Sequence, residues 1–424
     1  MTARRFEDVV CPFCGCLCDD LAVTVEAGQA RQVENACWLA KEGYARFPRR
    51  GQPAALMDGQ ATNLETAVDA AAALLRAARS PLVYGLNGVS TEAQRAAVAA
   101  ADLLRAHLDT AAGEVHGATA YALASGYAQT ATLGEVRNLA DLVVYWGIDP
   151  LETHPRHAAR YTAPDDRRQG RTLVVIDGAR TGVAATADVF VASAPERAFE
   201  VVGALRGLLR GLPNGQELAE AAGLPLTALS DLAGRLKGCR YGVIYYGPQL
   251  GAGRAGPQTV AALTNLVTEL NTHARVFAQG MGGHANAAGA DNVLAWQSGY
   301  PQGASYNRGY PRANAVEFRA SELLTRGEVD AVLVVAAEAT QGLTPEAAAR
   351  LKRLPVVVIG PNAAEAAWAK VAIGTAVPGV EAGGTLYRMD EVALTASAIL
   401  PAPYPTAEAV LGELLARWRG GRGG

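Results

Sequence analysis

The sequence lacks the features typical of proteins that bind nucleic acids, cross membranes or leave the cell. Of its 424 residues, 19% are charged, the net charge is −3, and no basic stripe is present that could follow a phosphate backbone. No apolar run reaches the roughly 18 residues that a membrane-spanning helix needs. The N-terminal segment MTARRFEDVVC has no apolar core of a secretory signal. We therefore expect a soluble, cytoplasmic protein that binds neither nucleic acid nor membrane.

The short motifs of common hydrolases and nucleotide-binding enzymes are also missing. The chain contains no G-x-S-x-G, no Walker A and no H-E-x-x-H sequence. Its acidic residues show no pairing typical of a hydrolytic dyad. A self-contained hydrolase is therefore not among the expected functions.

Cysteine is scarce over most of the chain and concentrated at its start. There are six cysteines, and all but Cys239 lie in the first 37 residues, at Cys11, Cys14, Cys16, Cys18 and Cys37. A disulfide scaffold would spread its cysteines through a small secreted domain, whereas one cluster at the start of a large chain favours a metal or iron–sulfur site.

The spacing C-x2-C-x3-C-x18-C, formed by Cys11, Cys14, Cys18 and Cys37, selects four of these residues. Three thiolates in a tight loop can hold one corner of a [4Fe-4S] cubane, and a distant fourth closes the site. Four thiolates equally suit a structural zinc ion. A vestigial site without metal is the remaining interpretation. Cys16 is one sulfur more than either site needs, and it either points away or replaces a neighbour.

Helical periodicity alternates with short apolar runs along the rest of the chain. Strands are predicted at Pro81–Gly85, Leu142–Trp146, Thr172–Ile176, Tyr241–Tyr246, Ala331–Ala336 and Pro355–Ile359. Continuously apolar strands between helices predict α/β domains whose parallel sheets are covered on both faces. Near the N-terminus, alternating residues around Ala27-Gly28 predict a β-hairpin.

Polar loops that follow these strands are candidate ligand sites, because parallel sheets bind ligands at the carboxyl ends of their strands. The candidates are Trp146–Pro150, Ile176–Arg180 and Ile359–Asn362. His154, Arg156 and His157 then form either an anion contact or an ordinary hydrogen-bonded loop. A Gly-rich turn that carries His284 lies at Gly280–Asn286 and is followed by Trp, Tyr and Arg residues up to Arg312. This block suits a ligand loop or a protein interface.

Four stretches together resemble one family. The run CPFCGCLCDD at Cys11–Asp20 looks like the opening of the formylmethanofuran dehydrogenase B subunit. The stretches Trp146–His157, Met281–Arg312 and Gly379–Asp390 resemble further blocks of that family. The similarity extends from the first cysteine to about residue 400.

This resemblance implies a molybdopterin-oxidoreductase-like fold of the formate dehydrogenase/DMSO reductase type, without a C-terminal barrel. The expected domains are an N-terminal cysteine-cluster and hairpin domain (1–52), an α/β domain (53–133 with 327–400), a Rossmann-like α/β domain (134–326), and a C-terminal helix with a flexible tail (401–424). In the family, a tungsten or molybdenum bis-pterin centre reduces carbon dioxide to formate, and an iron–sulfur cluster supplies the electrons.

Two departures from the family pattern change what the resemblance implies. The family's metal-ligating cysteine lies in A-S-V-C-H-G-P, and here the matching run Ala111–Ala118 carries Val115 at that position, followed by a retained His116. A valine side chain has no atom that can bind a metal. The arginine of the family's M-R-G-H block is replaced by Gly282. We therefore expect no catalytic residue in this chain and no bound molybdopterin or tungstopterin.

This pattern looks most like the B subunit of the formyltransferase/hydrolase complex of methylotrophic bacteria. That resemblance implies a non-redox structural subunit, assembled with the A, C and D subunits in a complex that dimerises. The complex converts formyl-tetrahydromethanopterin to formate via a methanofuran-type carrier. The alternatives are an active tungsten or molybdenum formylmethanofuran dehydrogenase B subunit and an iron–sulfur electron-transfer subunit.

Overall fold

A computed structural model describes residues 3–49, 52–113, 130–163, 166, 170–251, 256–282 and 285–420 of the chain. The chain divides into two compact units. The first unit combines Met1–Val115 with Gly283–Gly424, and the second is His116–Gly282. No helix within the described ranges is long and apolar enough to cross a membrane.

The N-terminal sheet is an antiparallel meander of β1 (Arg4–Val9), β2 (Leu21–Glu26) and β3 (Gln29–Glu34). Ala27 and Gly28 join β2 to β3 with φ angles of 51° and 74°, the left-handed geometry of a tight hairpin turn. The predicted hairpin is thereby confirmed. The cysteine loop, residues 11–18, connects β1 to β2, and α1 (Trp38–Ala45) begins directly after Cys37.

The large sheet of the first unit has, within the described residues, the strand order β14-β13-β7-β6-β15-β16-β17-β4-β5. Its five central strands β7, β6, β15, β16 and β17 are parallel, and the strands at both edges are antiparallel. The strands are β4 (Ala55–Met57), β5 (Gln60–Thr62), β6 (Pro81–Gly85), β7 (His107–Thr110), β13 (Ala304–Ser305), β14 (Arg312–Ala313), β15 (Ala331–Val335), β16 (Val356–Gly360) and β17 (Val371–Gly374).

Helices cover both faces of the large sheet. One face packs on α2 (Leu64–Ala77), α3 (Thr91–Leu104), α10 (Ala287–Ser298) and α13 (Ala407–Gly420). The other packs on α11 (Ala320–Arg326) and α12 (Pro345–Leu351). Alternate residues of β6, β15, β16 and β17 enter one hydrophobic core or the other, which explains why these four strands are apolar throughout.

The second unit has a parallel sheet with the order β10-β9-β8-β11-β12 in the described part of the chain. Its strands are β8 (Leu142–Trp146), β9 (Thr172–Asp177), β10 (Val189–Ala192), β11 (Tyr241–Tyr246) and β12 (Arg275–Gly280). The helices are α4 (Leu133–Leu139), α5 (Pro150–Thr153), α6 (Ala198–Leu209), α7 (Gly215–Ala222), α8 (Leu226–Gly238) and α9 (Gly256–Leu270). A short antiparallel pair in the first unit, β18 (Gly384–Tyr387) with β19 (Ala393–Ala396), completes the described strands.

The division into units differs from the expected domains in two ranges, and one of them, residues 116–133, was expected in the first α/β domain but falls in the second unit. Residues 283–326 were expected in the Rossmann-like domain, but they lie in the first unit. The physical reason is strand pairing, because Ala304 and Ser305 of β13 pair with Leu108 and His107 of β7. The C-terminal helix α13 also belongs to this unit, where the indole N–H of Trp418 donates to the carbonyl of Ala72 (3.0 Å).

Candidate functional site

The cysteine loop is a closed, buried turn. The amide of Cys11 donates to the carbonyl of Cys18 (2.8 Å), which fixes the two ends of the loop together. Cys11, Cys14, Cys16 and Cys18 expose 5% or less of their surface, while Cys37 at the start of α1 is partly exposed. These thiols are not joined in disulfides. The fold therefore places the cysteines of one predicted site in one apolar environment, shared with Val380, Ile399 and Leu400.

The buried thiol of Cys11 lies near the other three predicted ligands. Burial raises the pKa of the Cys11 thiol well above its usual value, and the neighbouring Cys14, Cys18 and Cys37 raise it further. Hydrogen bonds from Cys16 and from the Leu17 amide lower the pKa of Cys14 instead. In the described ranges, no three His, Cys, Asp or Glu side chains are grouped as ligands of a single metal ion. By residue type alone, the cysteines of this region suit an iron–sulfur cluster.

A second block that resembles the family, Gly379–Asp390, packs directly against the cysteine loop. The amide of Met389 donates to the carbonyl of Gly15 (2.9 Å), and Val380 lies in the same hydrophobic cluster as the cysteines. The two stretches that carry the family resemblance at opposite ends of the chain are therefore neighbours in space. Their sequence similarity reflects one shared structural site.

Arg49, in the segment after α1, forms an ion pair and hydrogen bonds with residues near the cysteine loop. Its guanidinium forms a buried ion pair with Glu381 and donates to the carbonyls of Pro361 and Thr375 (2.7 Å to Thr375). The ring of Tyr404 lies 4.4 Å from the guanidinium carbon. Pro361 and Thr375 follow β16 and β17, so Arg49 ties the N-terminal segment to the carboxyl edge of the large sheet. Sequence reasoning singled out the segments that contain Glu381 and Pro361 but missed their contacts with Arg49, which is far away along the chain.

Val115, the predicted position of the lost metal ligand, lies outside the described residues, as do His116 and His284. The described chain reaches Gly113, three residues after the carboxyl end of β7. Gly282, at the former arginine position, is half-buried just after β12. The expectation that Val115 and Gly282 mark a lost redox site therefore rests on the sequence.

Asp291 is a partly buried carboxylate beside the carboxyl end of β7, and sequence reasoning missed it. Its oxygens accept hydrogen bonds from Thr110 Oγ1 and Gln302 Nε2, both at 2.8 Å. Burial, with a smaller contribution from Glu391, raises the pKa of Asp291 to about 7. Both of these hydrogen-bond donors are neutral, so neither of them balances the charge of the carboxylate.

Asp291→Asn is expected to stabilise the chain by about 1–2 kcal/mol at pH 8 and by less at pH 5. The folded pKa of Asp291 is raised from the ordinary 3.8, so the stability that its proton confers is lost as the pH rises toward 7. An asparagine avoids this loss, because the Gln302 amide can turn to accept from it. Urea unfolding of both proteins between pH 5 and 8 measures the difference. A stability difference that does not change with pH contradicts the prediction.

His157 is the centre of a buried cluster of aromatic and hydroxyl side chains in the second unit. His157 is fully buried, its Nδ1 lies 2.8 Å from the hydroxyl of Tyr145, and its ring contacts the ring of Tyr245 at 4.6 Å between centroids. Burial and the nearby His154 hold the pKa of His157 well below its usual range. Thr162, in a π-helix at Ala158–Thr162, lies 2.6 Å from the Tyr145 hydroxyl. For His157 these contacts favour the hydrogen-bonded loop over the anion contact.

The Gly-rich turn ends at Asn286, whose side chain is hydrogen-bonded to two other segments of the chain. Asn286 is fully buried, donates to the carbonyl of Val89 (3.0 Å) and accepts from the amide of Tyr387 (2.7 Å). Beyond it, an exposed aromatic segment extends over residues 296–316. Its exposed large side chains are Trp296 (56%), Tyr300 (40%), Tyr310 (55%) and Val316 (50%). The segment contains Arg308 and Arg312 and no acidic residue, a composition that is typical of protein interfaces.

Curated proteins provide three similar sequences, while no family model matches the chain. The B subunit of the tungsten-containing formylmethanofuran dehydrogenase 2 of Methanocaldococcus jannaschii is 32% identical over 93% of this chain and 94% of its own length. The protein of the same name from Methanococcus maripaludis is 31% identical over 94% of each chain. The B subunit of the formyltransferase/hydrolase complex Fhc of Methylorubrum extorquens is 30% identical over 79% of this chain and 88% of its own length.

Solved structures with a similar fold include the following two. A chain of the formyltransferase/hydrolase complex FhcABCD of Methylorubrum extorquens, crystallised with methylofuran, matches with a TM-score of 0.69 at 29% identity, covering 87% of this chain and 99% of that one. Acetylene hydratase of Pelobacter acetylenicus matches with a TM-score of 0.72 at 14% identity, covering 98% of this chain and 69% of that one. The second match concerns the fold alone. Together they agree with the mixed α/β architecture expected from the sequence.

Proposed function

Because the chain belongs to the family of formylmethanofuran dehydrogenase B subunits, we propose that it is the non-redox structural subunit of a formyltransferase/hydrolase complex. That complex converts formyl-tetrahydromethanopterin to formate via a methanofuran-type carrier in one-carbon metabolism. The observation that carries the proposal is Val115, which stands where the family has its metal-ligating cysteine. Without that thiolate the protein supplies no ligand to a tungsten or molybdenum centre.

The proposed cofactor content follows from the same residues. Cys11, Cys14, Cys18 and Cys37 are the proposed ligands of a [4Fe-4S] cluster, supported by the burial of the loop thiols and by the amides directed at Cys14. Such a cluster supplies one-electron transfer in the family's redox enzymes. In this chain we propose that it stabilises the junction of the cysteine loop with residues 379–400. Pterin binding is not part of the proposed function.

The proposed partners are the A, C and D subunits of the complex, and the whole assembly is proposed to be a cytoplasmic dimer. A similarly folded chain occurs in the FhcABCD complex, which supports assembly in a heteromeric complex. We propose that the aromatic segment 296–316 is one contact surface, since its Trp, Tyr and Arg side chains are those enriched in interfaces. Carboxylates on the partner would complement Arg308 and Arg312.

Replacing Trp296 with alanine is expected to weaken association with the partner subunits about tenfold or more. The indole is 56% exposed and rests edge-to-face on Tyr387, with 5.5 Å between centroids, so it is a rigid anchor held ready for contact. Affinity co-purification of the tagged chain from co-expressing cells, at increasing salt, measures the effect. Trp368→Ala, at an exposed tryptophan outside this segment, is the matched control. Equal recovery of partners with both variants contradicts this surface.

The experiment that tests the function uses the co-expressed, purified complex. Supplied with formyl-tetrahydromethanopterin and a methanofuran-type carrier, the complex is expected to release formate without any electron acceptor. A complex that lacks this chain is expected to lose subunits and activity together. Formate release that requires an added electron donor or acceptor would overturn the proposal.

A second candidate is an active tungsten formylmethanofuran dehydrogenase subunit with unusual metal coordination. It is favoured by one observation, since the tungsten-containing relatives match 93–94% of the chain and the Fhc relative matches 79%. The third candidate, an electron-transfer subunit, depends on the cysteine loop alone. Formate-dependent dye reduction distinguishes the second candidate, and a reducible cluster without formyl hydrolysis distinguishes the third.

A further inference from the structure

The carboxylate of Asp291 lies at the carboxyl end of β7 and, within the described residues, is hydrogen-bonded by neutral groups. These groups are Thr110 Oγ1 and Gln302 Nε2, both at 2.8 Å. The nearby charge is that of Glu391, a second carboxylate, which adds to the negative potential at Asp291. Because Asp291 is partly exposed, a ligand can reach it from the solvent.

An unsatisfied hydrogen-bond acceptor belongs to the same cluster. The side chain of Gln302 is 4% exposed, and its Oε1 atom has no hydrogen-bond partner in the part of the chain that the structure describes. The Nε2 atom of the same amide donates to Asp291, so Oε1 lies beside that carboxylate. A buried amide oxygen without a donor is unfavourable. This second observation therefore also indicates that a hydrogen-bond donor binds here.

The backbone around the cluster holds these acceptors in fixed positions. The carboxylate of Asp109 accepts hydrogen bonds from the amides of Thr110 (3.0 Å) and Gly303 (3.1 Å). It thereby anchors both segments that donate to Asp291. Gly303 has a φ of +54°, and a Cβ atom there would lie 2.8 Å from the carbonyl oxygen of Asn314, so this position favours glycine. The acceptors are therefore arranged before any ligand binds.

We propose that the carboxylate of Asp291 and the Oε1 atom of Gln302 bind one organic cation, a guanidinium or primary ammonium group. Such a group brings positive charge to the carboxylate and an N–H donor to the amide oxygen. An anion would instead be repelled by Asp291 and Glu391. Thr110 orients the carboxylate through its hydrogen bond.

The cation has two sources with the same chemistry. One is a small molecule, and the other is an arginine or lysine side chain of a partner subunit, because Gln302 belongs to the proposed contact surface 296–316. The first source is independent of the proposed function, whereas the second rests on it.

The test measures the melting temperature of the purified full chain with increasing millimolar agmatine, which carries a guanidinium and an ammonium group. It is made at pH 8, where Asp291 is ionised because its pKa is raised to about 7. The parent is compared with Asp291→Asn, Gln302→Leu and Glu65→Gln. Glu65 is an exposed carboxylate in the first turn of α2 and is the matched control. Potassium chloride at equal ionic strength controls for screening.

Parent and Glu65→Gln are expected to be stabilised by agmatine with the same concentration dependence. Asp291→Asn is expected to weaken the apparent affinity about tenfold or more, because it removes the charge that the cation pairs with, and Gln302→Leu is expected to weaken it less. Equal stabilisation of parent and Asp291→Asn would overturn the proposal. An unaffected parent, or equal stabilisation by potassium chloride, would overturn it as well. Should Gln302→Leu fail to fold, Asp291→Asn decides alone.

The co-expressed complex distinguishes the two sources of the cation. If the ligand is a small molecule, agmatine stabilises the complex as well as the free chain. If a partner side chain occupies the site, agmatine stabilises the free chain alone, and Asp291→Asn lowers the recovery of partner subunits relative to Glu65→Gln. Either result supports the cation site, and the second also supports assembly through the surface 296–316.

Discussion

Replacing Arg49 with methionine is expected to lower the free energy of unfolding by about 3–5 kcal/mol. The substitution leaves the carboxylate of Glu381, which is 4% exposed, as a buried charge without its cation. It also removes the donors to the carbonyls of Pro361 and Thr375. Urea unfolding followed by circular dichroism measures the loss as a lower midpoint at an unchanged slope.

Two variants make this result specific. Arg5→Met removes an exposed arginine that pairs with Glu34 at 2.6 Å, and it is expected to leave the midpoint nearly unchanged. Arg49→Met combined with Glu381→Met removes both charges and is expected to recover part of the loss, because no unpaired charge remains. An Arg49→Met midpoint equal to that of Arg5→Met contradicts the role given to Arg49.

Replacing Arg171 with methionine is expected to destabilise the second unit by about 3–4 kcal/mol. Arg171 is 7% exposed and donates to the carbonyls of Val136, Arg137 and Ala140 at the end of α4, and to those of Tyr161 and Thr162 in the π-helix. These carbonyl oxygens lie where a helix leaves its last acceptors unpaired, and a guanidinium satisfies several of them at once.

The measurement is again urea unfolding, monitored by amide hydrogen exchange in residues 130–163. Arg171→Lys is expected to recover only a small part of the loss, because an ammonium cannot reach carbonyls that lie in several directions. Arg240→Met, at a side chain that is 87% exposed in the same unit, is the control. Equal stability of the Arg171→Met and Arg240→Met proteins contradicts the prediction.

The strands and the N-terminal hairpin could be predicted from the sequence because their signals are local. Continuous apolar runs such as Leu142–Trp146 and Tyr241–Tyr246 are strands with those bounds. The spacing of the cysteines predicts a four-sulfur site, and this stays a prediction, because no three of these side chains are grouped as metal ligands in the described residues.

Features that depend on distant residues could not be predicted in this way. Arg49 and Glu381 are separated by 332 positions, and no pattern along the chain connects them. The short strand β13 has only two residues, Ala304 and Ser305, too few for a periodic signal, although its pairing with β7 decides to which unit residues 283–326 belong. The raised pKa of Asp291 depends on enclosure by Thr110 and Gln302, which come from other parts of the chain.

The chain keeps the cysteine loop of the family, whereas by our proposal it has lost the residues that bind the metal and the formate. The loop remains buried, closed by hydrogen bonds and packed on residues 379–400, as a folded site must be. We propose that Val115 and Gly282 stand at the positions of the family's metal-ligating cysteine and arginine, where neither side chain can bind a metal or carry a positive charge.

Tungsten and molybdenum content of the anaerobically purified complex tests the proposed loss of redox chemistry most directly. Measured by elemental analysis together with formate-dependent dye reduction, the complex is expected to contain far less than one tungsten or molybdenum atom per copy of this chain and to reduce no dye. Stoichiometric tungsten or molybdenum with formate-dependent reduction would contradict a non-redox role.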